Sequence, residues 1–488
     1  MINIKNNREL FVDEYLVDTE KTTARISPCK PVKREVAFSF DASWETHGTV
    51  YQNIVRKPNG TYLMYYKSNY IDEKPDKSFG IIRRICVLQS EDGLNWSRPE
   101  LCITPLPGPR AVEPTNNIIS DLYDYYDNMF VFYDTNPKCP ENERYKAIYG
   151  EWGTGIFGYK SADGINFNFH PESNGTGTRE STLLISGADA GCYFDSLNTV
   201  YFNNEIGKYV AFVRGFHVGE DNYPPDPDVP EAVRDIRYME SEDFVHWSYP
   251  VAFKYNDDYD YQLYANAILP YYRADGLWVA TPTRYVAWPE WIDTFNKMPD
   301  VEDRAHRGRG LSLNDAIFMS SRDCKNWYRF GEAILTPGPE QKRNWIYGDC
   351  YPCIGFVETK SDVPGADPYL SMYCKEDQVG KYTQLYRYSL RVDGFVEVRS
   401  GFEPTKLVTK PFVYEGSEME INFSTSAIGW LKIKLISDGK TLETREIIGD
   451  KIDRIVGFEN GTPADLSGKE VTMEIELCDA AIYSFKFN

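Results

Sequence analysis

Ser90-Glu-Asp92-Gly-Leu-Asn-Trp96 is the first of four segments with one spacing: a Ser, an Asp two residues later, and an aromatic residue four positions after the Asp. The other three are Ser161-x-Asp163-x3-Phe167, Ser241-x-Asp243-x3-Trp247 and Ser321-x-Asp323-x3-Trp327. The Ser positions are separated by 71, 80 and 80 residues, and a degenerate fifth copy, Tyr388–Phe395, follows. A recurrence of this kind indicates a repeated supersecondary unit.

Each copy ends a β-like run and precedes a short one, so the motif predicts a hairpin turn. The Asp carboxylate can accept hydrogen bonds from nearby backbone N–H groups, and the Gly that follows it in some copies supplies a positive φ. The aromatic residue then fills the space between neighbouring sheets.

Between copies, a first apolar strand is followed by a second one after a turn. These pairs are 48–56 with 61–67, 117–119 with 129–133, 194–202 with 209–214, 263–271 with 277–285, and 349–357 with 369–373. Together with the two strands that flank each Ser-x-Asp turn, every unit has four strands. Five units predict an all-β fold, a five-bladed β-propeller spanning residues 1–402.

Residues 403–488 alternate polar and apolar side chains, as in 419–423, 431–435 and 471–477, which predicts a C-terminal β-sandwich domain. This domain is a candidate structural or homo-oligomerisation element. At the other end of the chain, the segment 9–17 is a candidate for the strand that closes the ring.

The composition favours a carbohydrate partner. The chain has 36 Tyr, 26 Phe and 10 Trp, and exposed aromatic faces suit the apolar faces of sugar rings. A net charge of −20 disfavours nucleic acid and anionic membrane surfaces as partners. The N-terminus shows no apolar signal segment, so we expect a cytoplasmic protein.

Metal and redox chemistry are not indicated. The ten Cys are scattered and include one CxxC, Cys350-Tyr-Pro-Cys353, without a second pair at zinc-site spacing, so free thiols are expected. The five His do not have metal-ligand spacing. We therefore predict no cofactor, with a structural calcium held by carboxylates as an open alternative.

In a propeller, the loops that enter the first strand of each blade and those that leave the second strand gather on one face, which is the expected pocket. Asp195, Asp349 and Glu376 are the catalytic candidates at this face. Asp195 interrupts an apolar strand, and a buried carboxylate is costly unless it is paired or has a function. The alternative for Asp195 is a structural ion pair with Arg214.

Further polar and aromatic residues at this face are candidate substrate contacts. They are Glu45, His47, Lys67, Glu113, Asn117, Arg214, Arg237, Tyr264, Arg284 and Trp288. For the arginines, ordinary salt bridges are the alternative. For Trp288, which lies in one of two long loops (215–234 and 286–311), burial of that loop is the alternative.

Two carboxylates in a pocket suit glycoside hydrolysis. One acid protonates the leaving oxygen, while the other attacks carbon or activates water, at separations of about 5–5.5 Å for retention and about 6.5–9.5 Å for inversion. The chain has no Gly-rich phosphate loop, Gly-x-Ser-x-Gly elbow or His-Glu-x-x-His motif.

Five blades followed by a sandwich resemble the invertase/levanase-like and arabinanase/xylosidase-like glycoside hydrolases, which use three channel carboxylates. The Ser-x-Asp copies also look like the Asp boxes of the six-bladed sialidases. The invertase signature Trp-x-Asn-Asp-Pro-Asn-Gly is missing: Lys57-Pro58-Asn59-Gly60 lies between two strands, and Trp44-Glu45 has Glu where that family has its nucleophilic Asp. An Arg-Asp-Pro triplet and a Glu-Cys pair are also missing. The resemblance thus implies a divergent glycosidase and assigns no catalytic role by motif.

Three functions stay open from the sequence. The first is an exo-acting glycosidase on a short oligosaccharide, such as a fructosyl or arabinosyl glycoside. The second is a glycoside phosphorylase, whose phosphate pocket would use Arg214, Arg237 or Arg284. The third is a carbohydrate-binding propeller without catalysis.

Overall fold

The computed structural model of the protein describes residues 1–45, 48–73, 79–101, 103, 115–121, 128–151, 153–170, 183–219, 221–222, 232–288, 290–297, 312–340, 344–345, 347–376 and 383–488. The substrate-contact candidates His47 and Glu113 lie outside the described residues, as do parts of the two long loops. Within the described residues, no helix has the length and apolar content needed to cross a membrane.

Four strands begin the chain: β1 (Ile2–Lys5), β2 (Glu9–Leu10), β3 (Arg25–Pro28) and β4 (Val32–Phe40). The first propeller sheet consists of β5 (Thr49–Arg56), β6 (Tyr62–Glu73), β7 (Phe79–Ser90) and β8 (Ile118–Asp121). The second consists of β9 (Asn128–Tyr133), β10 (Tyr145–Glu151), β11 (Gly155–Ser161), β12 (Asn168–His170) and β13 (Leu183–Ser186).

The third sheet consists of β14 (Thr199–Asn203), β15 (Lys208–Val218), β16 (Asp221–Asn222), β17 (Val233–Ser241) and β18 (Val251–Ala252). The fourth consists of β19 (Lys254–Tyr255), β20 (Gln262–Ala265), β21 (Ile268–Pro270), β22 (Trp278–Ala280), β23 (Thr283–Ala287), β24 (Ser312–Ser321) and β25 (Asn326–Leu335). The fifth contains β26 (Tyr351–Pro352), β27 (Val357–Thr359), β28 (Tyr369–Glu376) and β29 (Thr383–Arg391), with β4 at its outer edge.

The last sheet contains β30 (Val396–Ser400), β31 (Thr405–Val408), β32 (Phe412–Tyr414), β33 (Met419–Ser437), β34 (Lys440–Glu443), β35 (Asp450–Val456) and β36 (Glu470–Phe487). The described helical structure is short: α1 (Gly187–Ala190) and 3-10 turns at Glu141–Glu143, Phe295–Lys297 and Pro463–Asp465.

The five propeller sheets are joined in a ring by hydrogen bonds near their inner edges. The contacts run from Asn53 to Val131, Asn128 to Asp195, Asn266 to Leu197, Thr283 to Cys350, and Ile54 to Ile354. Neighbouring sheets also share apolar cores, for example those containing Val87 with Tyr149, Phe132 with Val200, Phe212 with Trp278, Phe318 with Met372, and Met64 with Tyr373. The propeller arrangement predicted from the repeat is confirmed.

The Ser-x-Asp turns have the predicted hydrogen bonds. In the first copy, Asp92 Oδ1 accepts from the backbone N–H groups of Leu94 and Asn95, each at 2.8 Å, and Ser90 Oγ accepts from Gly93 N at 2.9 Å. The other three copies repeat the two backbone contacts to the Asp.

The residue after the Asp has a positive φ in all four turns, although only two copies have Gly there. The φ values are 73° at Gly93, 76° at Gly164, 71° at Phe244 and 66° at Cys324. Phe244 and Cys324 are fully buried, so packing of their side chains offsets the cost of a left-handed backbone.

The prediction that 9–17 closes the ring is wrong. The fifth sheet is completed by β4, which pairs antiparallel with β29 from Val32 opposite Ser389 to Phe40 opposite Thr383. Strand β2 instead pairs with β36 of the last sheet. The segment 9–17 is apolar because it packs between the propeller and that sheet, where Leu10 and Phe11 belong to different cores.

The second unit begins later than predicted. Ile118–Asp121, expected as an inner strand, pairs with β7 and is the outer strand of the first sheet. The second sheet starts at Asn128, so Met129–Tyr133 belongs to its first strand rather than its second. Two apolar runs separated by a turn look the same in sequence whether or not a sheet boundary falls between them.

The C-terminal strands form a ten-stranded sheet in which the long strands β33 and β36 pair with each other. Strands β1, β2, β3 and β30, all before residue 403, belong to this sheet as well. The division into 1–402 and 403–488, and the sandwich itself, stay predictions.

Candidate functional site

Strained backbone marks the entrances to the inner strands. Tyr51, Phe194, Ala267 and Cys350 have φ values of 61°, 58°, 44° and 54°, in the left-handed region that non-glycine residues rarely adopt. Tyr51 lies at a register shift inside β5, Ala267 and Cys350 directly precede β21 and β26, and Phe194 lies in the segment before β14. Such strain concentrates at functional sites, because the surrounding structure must hold it in place.

Five tyrosines meet at this rim, and we call Tyr51, Tyr264, Tyr285, Tyr347 and Tyr351 the tyrosine cluster. The ring of Tyr351 lies 5.6 Å from Tyr264 and 6.3 Å from Tyr51. Tyr347 lies 5.9 Å from Tyr264 and 6.0 Å from Tyr285, and its hydroxyl donates to Tyr264 Oη at 2.8 Å. The cluster therefore connects the first, fourth and fifth sheets.

Asp195 forms an ion pair with Arg214 at the edge of this cluster. Arg214 Nη1 lies 3.0 Å from Asp195 Oδ1, and the guanidinium carbon lies 4.6 Å from the centre of the Tyr264 ring. Burial opposes the charge of Arg214, but Asp195 and the nearby tyrosines outweigh it and raise its pKa. The pairing that the sequence offered as an alternative therefore exists, and it places the Asp195 carboxylate beside a permanent cation.

Asp349 lies two residues before Tyr351, the first residue of β26. It is 3% exposed, and Lys375 of β28 is fully buried nearby. Burial lowers the pKa of Lys375 to about 7, and Asp349 opposes this shift while Lys67 reinforces it. The Lys375 ammonium lies 4.8 Å from the centre of the Tyr351 ring, and that of Lys67 lies 5.1 Å from Tyr51.

Glu376 points away from Lys375, since successive residues of a strand face opposite sides. Its carboxylate accepts from Tyr388 Oη at 2.9 Å and pairs with Lys33 at 2.6 Å, both on strands farther from the channel. Burial and the negative charges of Glu376 and Asp349 raise the pKa of the Cys374 thiol. The structure thus places Asp195 beside Arg214 at the cluster, whereas Glu376 pairs with Lys33 and Tyr388.

Two residues that the sequence predicts to contact the substrate instead form hydrogen bonds with residues in and beside the first sheet. Glu45 is fully buried and accepts from Tyr66 Oη and from the guanidinium of Arg98. Asn117 donates to Tyr66 Oη at 2.7 Å and to the Val87 carbonyl at 2.8 Å. Both side chains brace the sheet.

Arg237, Arg284 and Trp288 also have structural partners. Arg237 Nε lies 3.1 Å from Asp235, and Arg284 makes a two-pronged contact with Asp315 at 2.9 and 2.6 Å. Trp288 is 42% exposed and packs edge-on against Phe295. Lys67, Arg214 and Tyr264 are the predicted contacts that the structure does place at the tyrosine cluster.

Sequence reasoning missed most of the cluster as well as Glu151 and Arg234. The aromatic residues that flank Asp349 in Tyr347-Gly-Asp349-Cys-Tyr351 were a usable signal for the cluster. Glu151 ends β10, the true second strand of its sheet, so the misplaced start of that unit hid this buried carboxylate.

Metal and disulfide chemistry have no built site in the described ranges. No group of three or more His, Cys, Asp or Glu side chains there is placed to hold a metal ion. The nine described cysteines are free thiols, as their scattered spacing predicted.

No protein-family model and no curated protein sequence matches the chain. Solved structures of similar shape include a family 43 arabinoxylan arabinofuranohydrolase from Bacillus subtilis, with 11% identity, TM-score 0.41, and coverage of 96% of this chain and 99% of that one. A thermostable family-43 glycoside hydrolase has 11% identity, TM-score 0.40, and coverage of 76% and 96%. An N-acetylgalactosamine deacetylase from F. plautii has 14% identity, TM-score 0.41, and coverage of 75% and 96%.

Proposed function

We propose that the protein is a glycoside hydrolase, exo-acting on a short oligosaccharide such as a fructosyl, arabinosyl or related glycoside. The observation that supports this proposal is the tyrosine cluster, which has the Asp195–Arg214 ion pair beside Tyr264 and the buried Asp349 two residues before Tyr351. Arg214 beside Asp195 touches Tyr264, Asp349 precedes Tyr351, and these two rings are 5.6 Å apart.

The two carboxylates have different surroundings, and two-carboxylate catalysis requires such a difference. Asp195 forms an ion pair with Arg214, which remains charged at all working pH values. It suits the nucleophile or the base that activates water. Asp349 is more deeply buried and suits the acid that protonates the leaving oxygen, and Glu376 is the remaining candidate for a third, orienting carboxylate.

The tyrosine cluster supplies a surface for the sugar. Aromatic faces pack against the apolar face of a sugar ring, while phenol hydroxyls bond to its hydroxyl groups. Tyr264 and Tyr285 are only partly buried, so their rings remain accessible.

Hydrolysis fits the arginines better than phosphorolysis does. Arg214, Arg237 and Arg284, the residues expected to form a phosphate pocket, pair with Asp195, Asp235 and Asp315. A phosphate ion would have to displace those carboxylates.

The test compares Asp195→Asn and Asp349→Asn with wild type on aryl-glycosides and short fructo-, arabino- and manno-oligosaccharides. Each variant should lower kcat by at least about 100-fold, the lower end of what a positioned acid or base contributes. Asp453→Asn, at a half-exposed carboxylate of the C-terminal sheet, is the control and should keep full activity. Full activity in a folded Asp195→Asn protein would contradict the assignment.

A further inference from the structure

Arg234 differs from the neighbouring Arg214, Arg237 and Arg284 because no carboxylate of the described residues pairs with it. It lies on β17 directly opposite Phe216 of β15. Its contacts with described residues are neutral: Nη1 donates to Gln262 Oε1 at 2.7 Å, and its guanidinium carbon lies 4.7 Å from the Tyr285 ring centre and 5.4 Å from that of Tyr264. In the described residues, no Asp or Glu oxygen lies within ion-pair distance of it.

The acidic residues Asp235 and Asp260 form ion pairs with residues other than Arg234. Asp235, the next residue along the strand, faces the other side of the sheet and bonds to Arg237 and His217. Asp260 bonds to the other ring nitrogen of His217 at 2.9 Å. The hydrogen bond that His217 makes to Asp235 and the negative charges of Asp235 and Asp260 raise the pKa of His217. The charged form of His217 is therefore favoured, and it holds these two carboxylates in place.

The guanidinium also has unused hydrogen-bonding capacity. Arg234 Nε is buried and has no hydrogen-bond partner within the described protein. A buried donor without an acceptor destabilises the folded protein. In a chain with 73 acidic and 53 basic residues, a half-buried arginine left without a carboxylate is unexpected for a purely structural role.

Arg234 belongs to the candidate site because it shares the face of the third sheet that carries Arg214. Phe216 and Tyr264 lie close to both guanidiniums. Arg214 is neutralised by Asp195, so the single uncompensated positive charge of this pair is that of Arg234.

We infer that Arg234 binds a carboxylate carried by the substrate, so that the oligosaccharide contains a uronic acid. This inference rests on the proposed function and names its substrate class. A planar guanidinium with a free Nε can bind a carboxylate in two-pronged geometry. One uncompensated charge matches a monoanionic carboxylate, whereas a phosphate dianion would call for more than one cation.

The experiment measures binding, so it does not depend on turnover. Isothermal titration compares di- and trigalacturonate and glucuronate-containing disaccharides with their methyl esters, which keep the rings and linkages but remove the charge. Wild type should bind an acid form at least about tenfold more tightly than its ester, as expected for a charge-assisted hydrogen bond.

Arg234→Gln should abolish this preference, and Arg234→Lys should keep part of it through charge alone. Arg34→Gln is the matched control, because Arg34 also lies over a tyrosine, Tyr369, but sits on the outer strand β4. It should retain the full preference. Equal binding of acid and ester, or an unchanged preference in Arg234→Gln, would overturn the inference.

A second arm separates a substrate carboxylate from free phosphate. If inorganic phosphate binds wild type but not Arg234→Gln, and no uronate binds, then the anion is phosphate and the inference is wrong. If uronates bind as predicted but no glycoside is cleaved, the proposed hydrolysis fails alone. If hydrolysis occurs without any preference for acid over ester, this inference fails alone.

Discussion

The Ser-x-Asp turns outside the sheets and the strand entrances at the channel use polar side chains in opposite ways. In the turns, Asp163 bonds to Ser161, Ile165 and Asn166, all within three residues. At the channel, Asp195 bonds to Arg214 and the Tyr264 hydroxyl receives a bond from Tyr347, 83 residues away in the chain. Local contacts build the scaffold, and long-range contacts build the candidate site.

The fifth turn departs from the other four, and it sharpens this comparison. Asp393 has the left-handed φ of 61° itself and is fully buried. Its oxygens lie 2.9 Å from Arg273, 3.4 Å from Arg8 and 2.6 Å from Tyr271 Oη, and Ser484 of β36 donates at 2.8 Å. The same motif position thus connects the propeller to the C-terminal sheet.

Asp393→Asn should have the largest effect on stability. Asp393 is the fully buried carboxylate that Arg8 and Arg273 share, and removing its charge from this network should cost about 3 kcal/mol or more. Urea unfolding monitored by fluorescence checks this. Asp450→Asn, which removes an exposed partner of Arg391, should cost less than about 1 kcal/mol. Equal losses in the two variants would contradict the role given to Asp393.

Lys375→Met tests the channel through its pH dependence. The pKa of Lys375 is lowered to about 7, so between pH 7 and 10 the unfolded chain binds a proton that the folded protein does not. Stability conferred by this site therefore rises with pH in that window, by at most about 1.4 kcal/mol per pH unit. Relative to Lys375→Met, wild type should become more stable from pH 7 to 9 in urea unfolding. A pH-independent difference would show that Lys375 is not held in a proton-poor state.

Asp163→Ala should have the smallest effect. It removes local hydrogen bonds at an exposed turn, so the free energy of unfolding should fall by about 1 kcal/mol. Glycosidase activity should be unchanged, because the turn lies outside the channel. Loss of activity in a variant that remains folded would contradict the claim that the Ser-x-Asp turns are structural and do not affect the candidate site.

The two regions also differ in how far the sequence predicts them. Because the turn around Asp92 is made by residues within five positions of each other, its spacing alone predicts the turn, the strands beside it and the propeller. The ion pair between Asp195 and Arg214 could also be predicted from the sequence, since Arg214 lies on the adjacent strand. The contacts of Tyr264, Tyr347 and Tyr351 depend on how separate sheets meet, which no local pattern contains.

The predictions were wrong where one apolar sequence pattern fits two different arrangements of strands. The apolar run before Asn128 and the run after it look alike, yet a sheet boundary separates them, and this hid Glu151. The segment 9–17 is apolar enough to close a ring, but 32–40 does so, and its residues are mostly exposed or half-buried, as is typical of an edge strand. Arg234 was missed because a sequence does not show which acidic side chains lie next to an arginine in the folded protein.

The most direct test of the account is hydrolysis in H₂¹⁸O, with the oligosaccharide panel described above extended to uronate-containing substrates. We predict that wild type releases a monosaccharide carrying ¹⁸O at its anomeric position without added phosphate, and that Asp195→Asn and Asp349→Asn do not. Release of an unlabelled sugar phosphate that requires added phosphate, or labelled product from both variants at the wild-type rate, would contradict it.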